Sequence, residues 1–154
     1  MSVFDATANP ASGKIVEVGI KRTDAVRGRL RTKAPDGEDL IVDLPRGMVM
    51  HDGDIFGPSA QGMYYRTRIE PEPVLRVTLK KTGSGMIEDA LRLGYTLGNH
   101  HLEVLFDGGH AYVPAVIGAD KIERIIGKSG AFVATEVIQW VISPGASGYF
   151  AGED

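Results

Sequence analysis

From Lys14 to Thr67 the apolar and polar positions follow a strand-like pattern. The stretch Ile15-Val16-Glu17-Val18-Gly19-Ile20 is rich in β-branched residues, and Arg27-Gly28-Arg29-Leu30-Arg31-Thr32 alternates before the turn signal Pro35-Asp36-Gly37. Asp39-Leu40-Ile41-Val42-Asp43-Leu44 resumes the pattern and stops at Pro45-Arg46-Gly47. Met48-Val49-Met50 then leads to a polar turn, His51-Asp52-Gly53-Asp54, and to Ile55-Phe56. Strands at this short spacing predict a small antiparallel sheet, sandwich or barrel.

The pattern changes at Ile69-Glu70-Pro71-Glu72-Pro73, where two prolines and two acids predict a stiff linker. Val74–Leu79 reads as a strand. Gly83-Ser84-Gly85 breaks it, with Ser84 the expected cap of a helix over 86–97 whose residues Ile87, Ala90, Leu91, Gly94 and Leu97 fall at helical spacing. Leu102–Phe106 and Ala111–Ala115 flank the hairpin signal Asp107-Gly108-Gly109. A short helix over 120–126 and a long apolar strand over 131–142 follow. The second half therefore reads β-α-β-β-α-β, the order of a ferredoxin-like fold. The expected class is α+β: an all-β domain over 1–73, a ferredoxin-like domain over 74–143 and a short tail over 144–154. Each half is near 70 residues, where a lone core is marginal, so docking or dimerisation is expected.

Composition narrows the chemistry. The 154 residues carry 17 Lys+Arg against 20 Asp+Glu, for a net charge of −3, and no cysteine. Disulfides, thiolate metal sites and a cysteine nucleophile are thereby excluded. The mild acidity argues against a nucleic-acid surface, and the N-terminal half lacks the aromatic stacking set of an RNA-binding barrel. No apolar run approaches the roughly 18 residues of a membrane span, and the first residues lack the basic start and apolar core of a signal peptide. A soluble, cytoplasmic protein is expected.

Several motifs fail on spacing. Gly127-Lys128-Ser129 resembles the end of a phosphate loop, but Ile122 stands where that loop needs glycine, so a helix C-cap is expected. Asp52-x-Asp54 lacks the bidentate acid of a calcium loop, because Met63 occupies the twelfth position. No nucleophile-and-base arrangement is visible, and no enzyme is expected. Four histidines remain: His51, His100, His101 and His110. His51 reads as a solvated turn residue and His110 as the start of a strand. His100 and His101 follow Leu97-Gly98-Asn99, where Gly98 or Asn99 is expected to take the left-handed conformation that closes the helix. Adjacent strand residues face opposite ways and chelate poorly, whereas one histidine near a two-fold axis meets its own image.

Leu97-Gly98-Asn99-His100-His101, after an amphipathic helix, resembles the Leu-Gly-Asn-Arg-His signature of the UreE family, the urease accessory proteins that carry nickel. Arg27-Gly28-Arg29-Leu30-Arg31 with Asp36-Gly37, then Leu44-Pro45-Arg46-Gly47, then Asp52-Gly53-Asp54, and finally Glu72-Pro73-Val74-Leu75-Arg76-Val77 are similar to that family's other motifs in the same order. The resemblance runs from about Lys14 to Ile142.

The resemblance implies an N-terminal domain that binds protein partners and a C-terminal domain that dimerises and binds Ni(II). His101 is the residue it places at the dimer interface, holding nickel with its twin and projecting from the start of a strand. His100 and His110 could widen that shell, and Zn(II) or Cu(II) could occupy the same site, since copper outcompetes nickel at any such set of ligands. The implied recipient is the GTPase UreG within a complex that loads apo-urease. Arginine is usual where His100 stands, and the tail over 144–154 has no histidine, so bulk nickel storage is not expected. The competing expectation is a metal-independent adaptor in a urease maturation complex, contacting partners through Arg27, Arg29, Arg31 and Arg46.

Overall fold

The structure is a computed structural model that describes residues 2–3 and 15–144. They fall into two compact units, the first reaching Pro71 and taking in 141–144, the second spanning Glu72–Trp140. The expected domain limit at 73 thus falls inside a strand. Residues 141–143, expected with the second domain, group with the first. Of the tail, 145–154 lies outside the described residues.

The first unit holds two three-stranded sheets. One orders β1 (Ser2–Val3), β4 (Asp39–Asp43) and β3 (Arg29–Lys33); the other orders β2 (Ile15–Ile20), β6 (Tyr64–Ile69) and β5 (Ile55–Phe56). A short helix, α1 (Arg22–Ala25), joins β2 to β3 and was not expected from the sequence. Val18, Leu30, Val42, Met50, Phe56 and Tyr65 are among the side chains of a single core. In β6 every second residue is buried, the alternation of a half-buried strand. The sequence predicted antiparallel pairing, yet β2 pairs β6 in parallel, Ile15 opposite Tyr64 through Ile20 opposite Ile69. Parallel neighbours need a long crossover, here the whole of 21–63, and local turn signals cannot announce that.

The second unit runs β7 (Glu72–Leu79), α2 (Ser84–Asn99), β8 (Leu105–Asp107), β9 (His110–Pro114), α3 (Ala119–Lys128) and β10 (Val133–Trp140). Its sheet order is β10-β7-β9-β8 with every neighbour antiparallel, as the expected ferredoxin-like fold requires. The fold class is α+β. Pro73, expected in a linker, sits in β7 opposite Gln139, and only Glu70 and Pro71 separate β6 from β7. Leu75, Val77, Val113, Leu93, Leu97, Ile122 and Ile126 pack into one core between the sheet and the two helices. Asp107-Gly108-Gly109 forms the expected tight hairpin, with Asp107 opposite His110 and both glycines at positive φ.

Candidate metal centre at the end of the second helix

The inner face of α2 carries Asp89, Leu93 and Leu97, all buried, at the i, i+4, i+8 spacing of a helix stripe. Ser84 is the first helical residue and not the cap. The cap is Gly83, at φ 64, with no side-chain hydrogen bond to the helix. Asp89 Oδ2 instead pins the helix laterally, accepting the Phe132 amide at 2.9 Å with Lys81 Nζ at 3.5 Å.

The C-terminal end differs from the expectation. Gly98 and Asn99 remain helical, His100 is the cap at φ −92 and ψ 6, and His101 takes the left-handed conformation, φ 52. The His101 amide donates to the Gly98 carbonyl at 3.0 Å and the Leu102 amide to the Leu97 carbonyl at 3.1 Å. These are the paired bonds of a Schellman closure. It brings Leu102 into the same core as Leu97. A left-handed residue with a Cβ costs about 1–2 kcal/mol, which part-burial of a leucine roughly offsets. Closing at Gly98 would avoid the strain but put Leu102 out of register with that core. His101 therefore projects from a helix cap and not, as expected, from a strand, since β8 begins only at Leu105.

The histidines differ in their surroundings. His100 and His101 are exposed. His100 Nδ1 lies 2.9 Å from the Thr96 carbonyl oxygen. His110 is half-buried, with Nδ1 2.8 Å from Thr78 Oγ1 and its ring edge-on to Tyr112. In β9, Ala111 and Val113 enter the core beneath the helices. His110 and Tyr112 consequently face the other side of the sheet. The structure brings His100 and His101 to one helix end, while His110 opens β9 and lines, with Gly98 and Leu102, the groove beside that helix. No group of three metal-ligating side chains occurs among the described residues. His51 lies in its expected turn, where Asp54 Oδ2 accepts the His51 amide at 2.7 Å. The Gly127-Lys128-Ser129 segment is a helix end, as expected, with Gly130 at φ 74 behind the cap.

The outer side of α2 is apolar and uncovered. Ile87, Leu91 and Tyr95, at i, i+4 and i+8, are 62%, 69% and 73% exposed. Beside them a groove of about 390 Å³ is walled by Ala90, Gly94 and Gly98 of α2 and by Phe106 of β8. Leu102 also lines it, so its walls include residues on either side of the two histidines.

The arginines expected to meet partners are mostly engaged. Arg27 pairs with Asp24 at 3.4 Å, Arg29 with Asp43 at 3.3 Å and Arg31 with Asp39 at 3.4 Å. Arg46 is exposed and has no carboxylate partner among the described residues.

Residues 3–61 match the family model described as the UreE urease accessory protein, N-terminal domain. A urease accessory protein UreE of Nostoc sp. is 32% identical over 98 residues, 64% of this chain and 63% of that protein. The UreE of Thermosynechococcus vestitus is 28% identical over 134 residues, 85% of each chain. The chain is thus similar to UreE proteins over much of its length, and most directly in its N-terminal domain. A UreE of Ralstonia nicotianae is 40% identical over 78 residues, which are 51% of this chain and 34% of that protein. The chain spans about a third to two thirds of the length of several of these UreE proteins. The family name denotes an accessory protein in urease maturation and not a catalyst. No described helix is long and apolar enough to cross a membrane.

Proposed function

We propose that this chain is a cytoplasmic nickel metallochaperone that delivers Ni(II) for assembly of the urease active site, holding the ion between two copies of itself. The observation that carries the reading is the contrast between its two helix ends. The shorter helix, α3, closes on Gly130, the residue type that suits the left-handed position, whereas α2 closes on a histidine at φ 52. Strain retained at an exposed residue without a packing role for its own side chain points to a functional one. His101 also lies at the end of the helix whose outer face, Ile87, Leu91 and Tyr95, is apolar and exposed. Burying that face against a second copy supplies the apolar area a dimer needs and leads the two His101 side chains toward one axis.

Two imidazoles from two chains suit a borderline cation such as Ni(II), Cu(II) or Zn(II), with water or a carboxylate completing the shell. An incomplete shell suits a carrier, because a recipient can enter it by ligand exchange. The recipient in this reading is the GTPase UreG and the apo-urease complex. His110, held by Thr78 on the other sheet face, stays outside the shell. Isothermal titration tests the reading: one tight nickel per two chains is expected, lost in His101→Ala while the dimer persists. Unchanged nickel affinity in that variant rejects it.

The adaptor reading keeps one supporting observation, that the matched family model covers the N-terminal domain alone. Three of its four arginines are already paired within the chain, which leaves Arg46 as its best contact. Loss of partner capture in Arg46→Glu, with no effect of His101→Ala on urease maturation, would favour the adaptor.

A further inference from the structure

We propose that His100 is a second metal ligand, with its ring nitrogen chosen in advance by the Thr96 carbonyl, so that the paired chains offer four imidazoles and not two. The inference rests on the reading of His101 as the shared ligand and extends it to a residue that reading does not need.

A backbone carbonyl only accepts hydrogen bonds. The 2.9 Å contact between His100 Nδ1 and the Thr96 oxygen therefore requires the proton on Nδ1. In the neutral ring Nε2 then carries the lone pair, and the ring is exposed. A ligating imidazole is ordinarily prepared in this way, with its other nitrogen donating to a carbonyl that sets tautomer and orientation. Here that arrangement comes from the helix itself, because Thr96 is four residues back and its carbonyl, in the last turn, has a second lone pair open to the ring. The same oxygen also accepts the His100 amide at 3.3 Å, which holds ring and backbone to one point.

The electrostatics agree. The C-terminal end of a helix carries a partial negative charge, usually met by a basic residue. In α3, Lys128 stands in the last turn; in α2 the last turn has no basic residue. A divalent cation beside His100 and His101 would occupy the position left without one. His110 offers no comparable nitrogen, since its Nδ1 faces a hydroxyl that can donate or accept. A four-imidazole set favours nickel, copper or zinc over magnesium or calcium, which prefer oxygen.

The test uses the full chain as a dimer, titrated with Ni(II) and examined by X-ray absorption at the nickel edge. His100→Gln keeps a donor for the Thr96 carbonyl but lacks the imidazole. The unaltered protein should show four imidazoles per nickel and His100→Gln two, with nickel affinity reduced roughly tenfold or more. An imidazole count and affinity unchanged in His100→Gln would overturn the inference. His101→Ala is the separate arm: nickel binding that survives it intact defeats the underlying reading, whereas a defect in His101→Ala alone defeats only the role of His100. Nitrogen-15 spectra of the metal-free protein give a further check. They should show the Nδ1–H tautomer at His100, and the Nε2–H form would equally overturn it.

Discussion

At the scale of single residues, His101 combines a backbone position suited to glycine with a side chain suited to a metal. The two properties can be separated. His101→Gly removes the Cβ from a left-handed site and should raise the unfolding free energy by about 1 kcal/mol. It is expected to move the urea midpoint up at unchanged m-value while nickel binding is lost. A lower midpoint would show that the imidazole stabilises the fold. Tyr65 gives a residue-level prediction in the other unit. Burial first, and then its hydrogen bond to Glu38 Oε2 at 2.7 Å, push its phenol above the ordinary tyrosine range. The protonated phenol is the form the fold favours, so its contribution is complete below pH about 10 and disappears as pH rises through the elevated value. Urea midpoints measured from pH 8 to 11.5 should fall more steeply for the unaltered protein than for Tyr65→Phe. As a proposed ligand, residue 101 was legible only through family likeness. Its conformation was not, because Gly98 and Asn99 both have better local chemistry for the left-handed role. Burial of Leu102, a contact between side chains that flank the turn, decided the matter.

At the scale of elements, α2 is held by its inner stripe and by one buried carboxylate. Asp89→Ala would leave the Phe132 amide without its acceptor and is expected to destabilise by about 1–3 kcal/mol. Asp89→Asn keeps an acceptor oxygen and should cost less, since the Lys81 partner is half in solvent and adds little. Chemical denaturation of both variants checks the order, and equal losses would mean that charge matters more than the hydrogen bond. Element order and type in the second unit were readable from periodicity, and the β8–β9 hairpin from its glycine pair. The ends were less so. Ser84 has the right chemistry to cap α2, but it is already the first helical residue and Gly83 takes the cap position. Thr96 carried a weak signal at most: any residue four before a helix-capping histidine presents a carbonyl to it, yet the rotamer that uses it is a matter of geometry.

At the scale of the whole molecule, the apolar outer face of α2 joins the proposed metal site to assembly. Leu91→Glu places a charge at a residue that makes no core contact, so each chain should keep its fold. It is expected to shift the protein from dimer to monomer in sedimentation velocity and to weaken nickel binding with His100 and His101 intact. A dimer that persists would place the interface elsewhere. The two-unit organisation was expected from the change of pattern near residue 70. The grouping of 141–144 with the first unit was not, because it depends on where the chain travels after β10.

Local patterning determined most of the strands, the two long helices, the α+β class and the absence of thiol chemistry, because period, turn residues and composition act between near neighbours in the chain. The parallel pairing of β2 with β6, the face on which His110 lies and the left-handed turn at His101 depended on which distant side chains share a core. Burial is a property of the folded neighbourhood. Residue identity supplies the apolar surface, and only the closed structure decides what covers it.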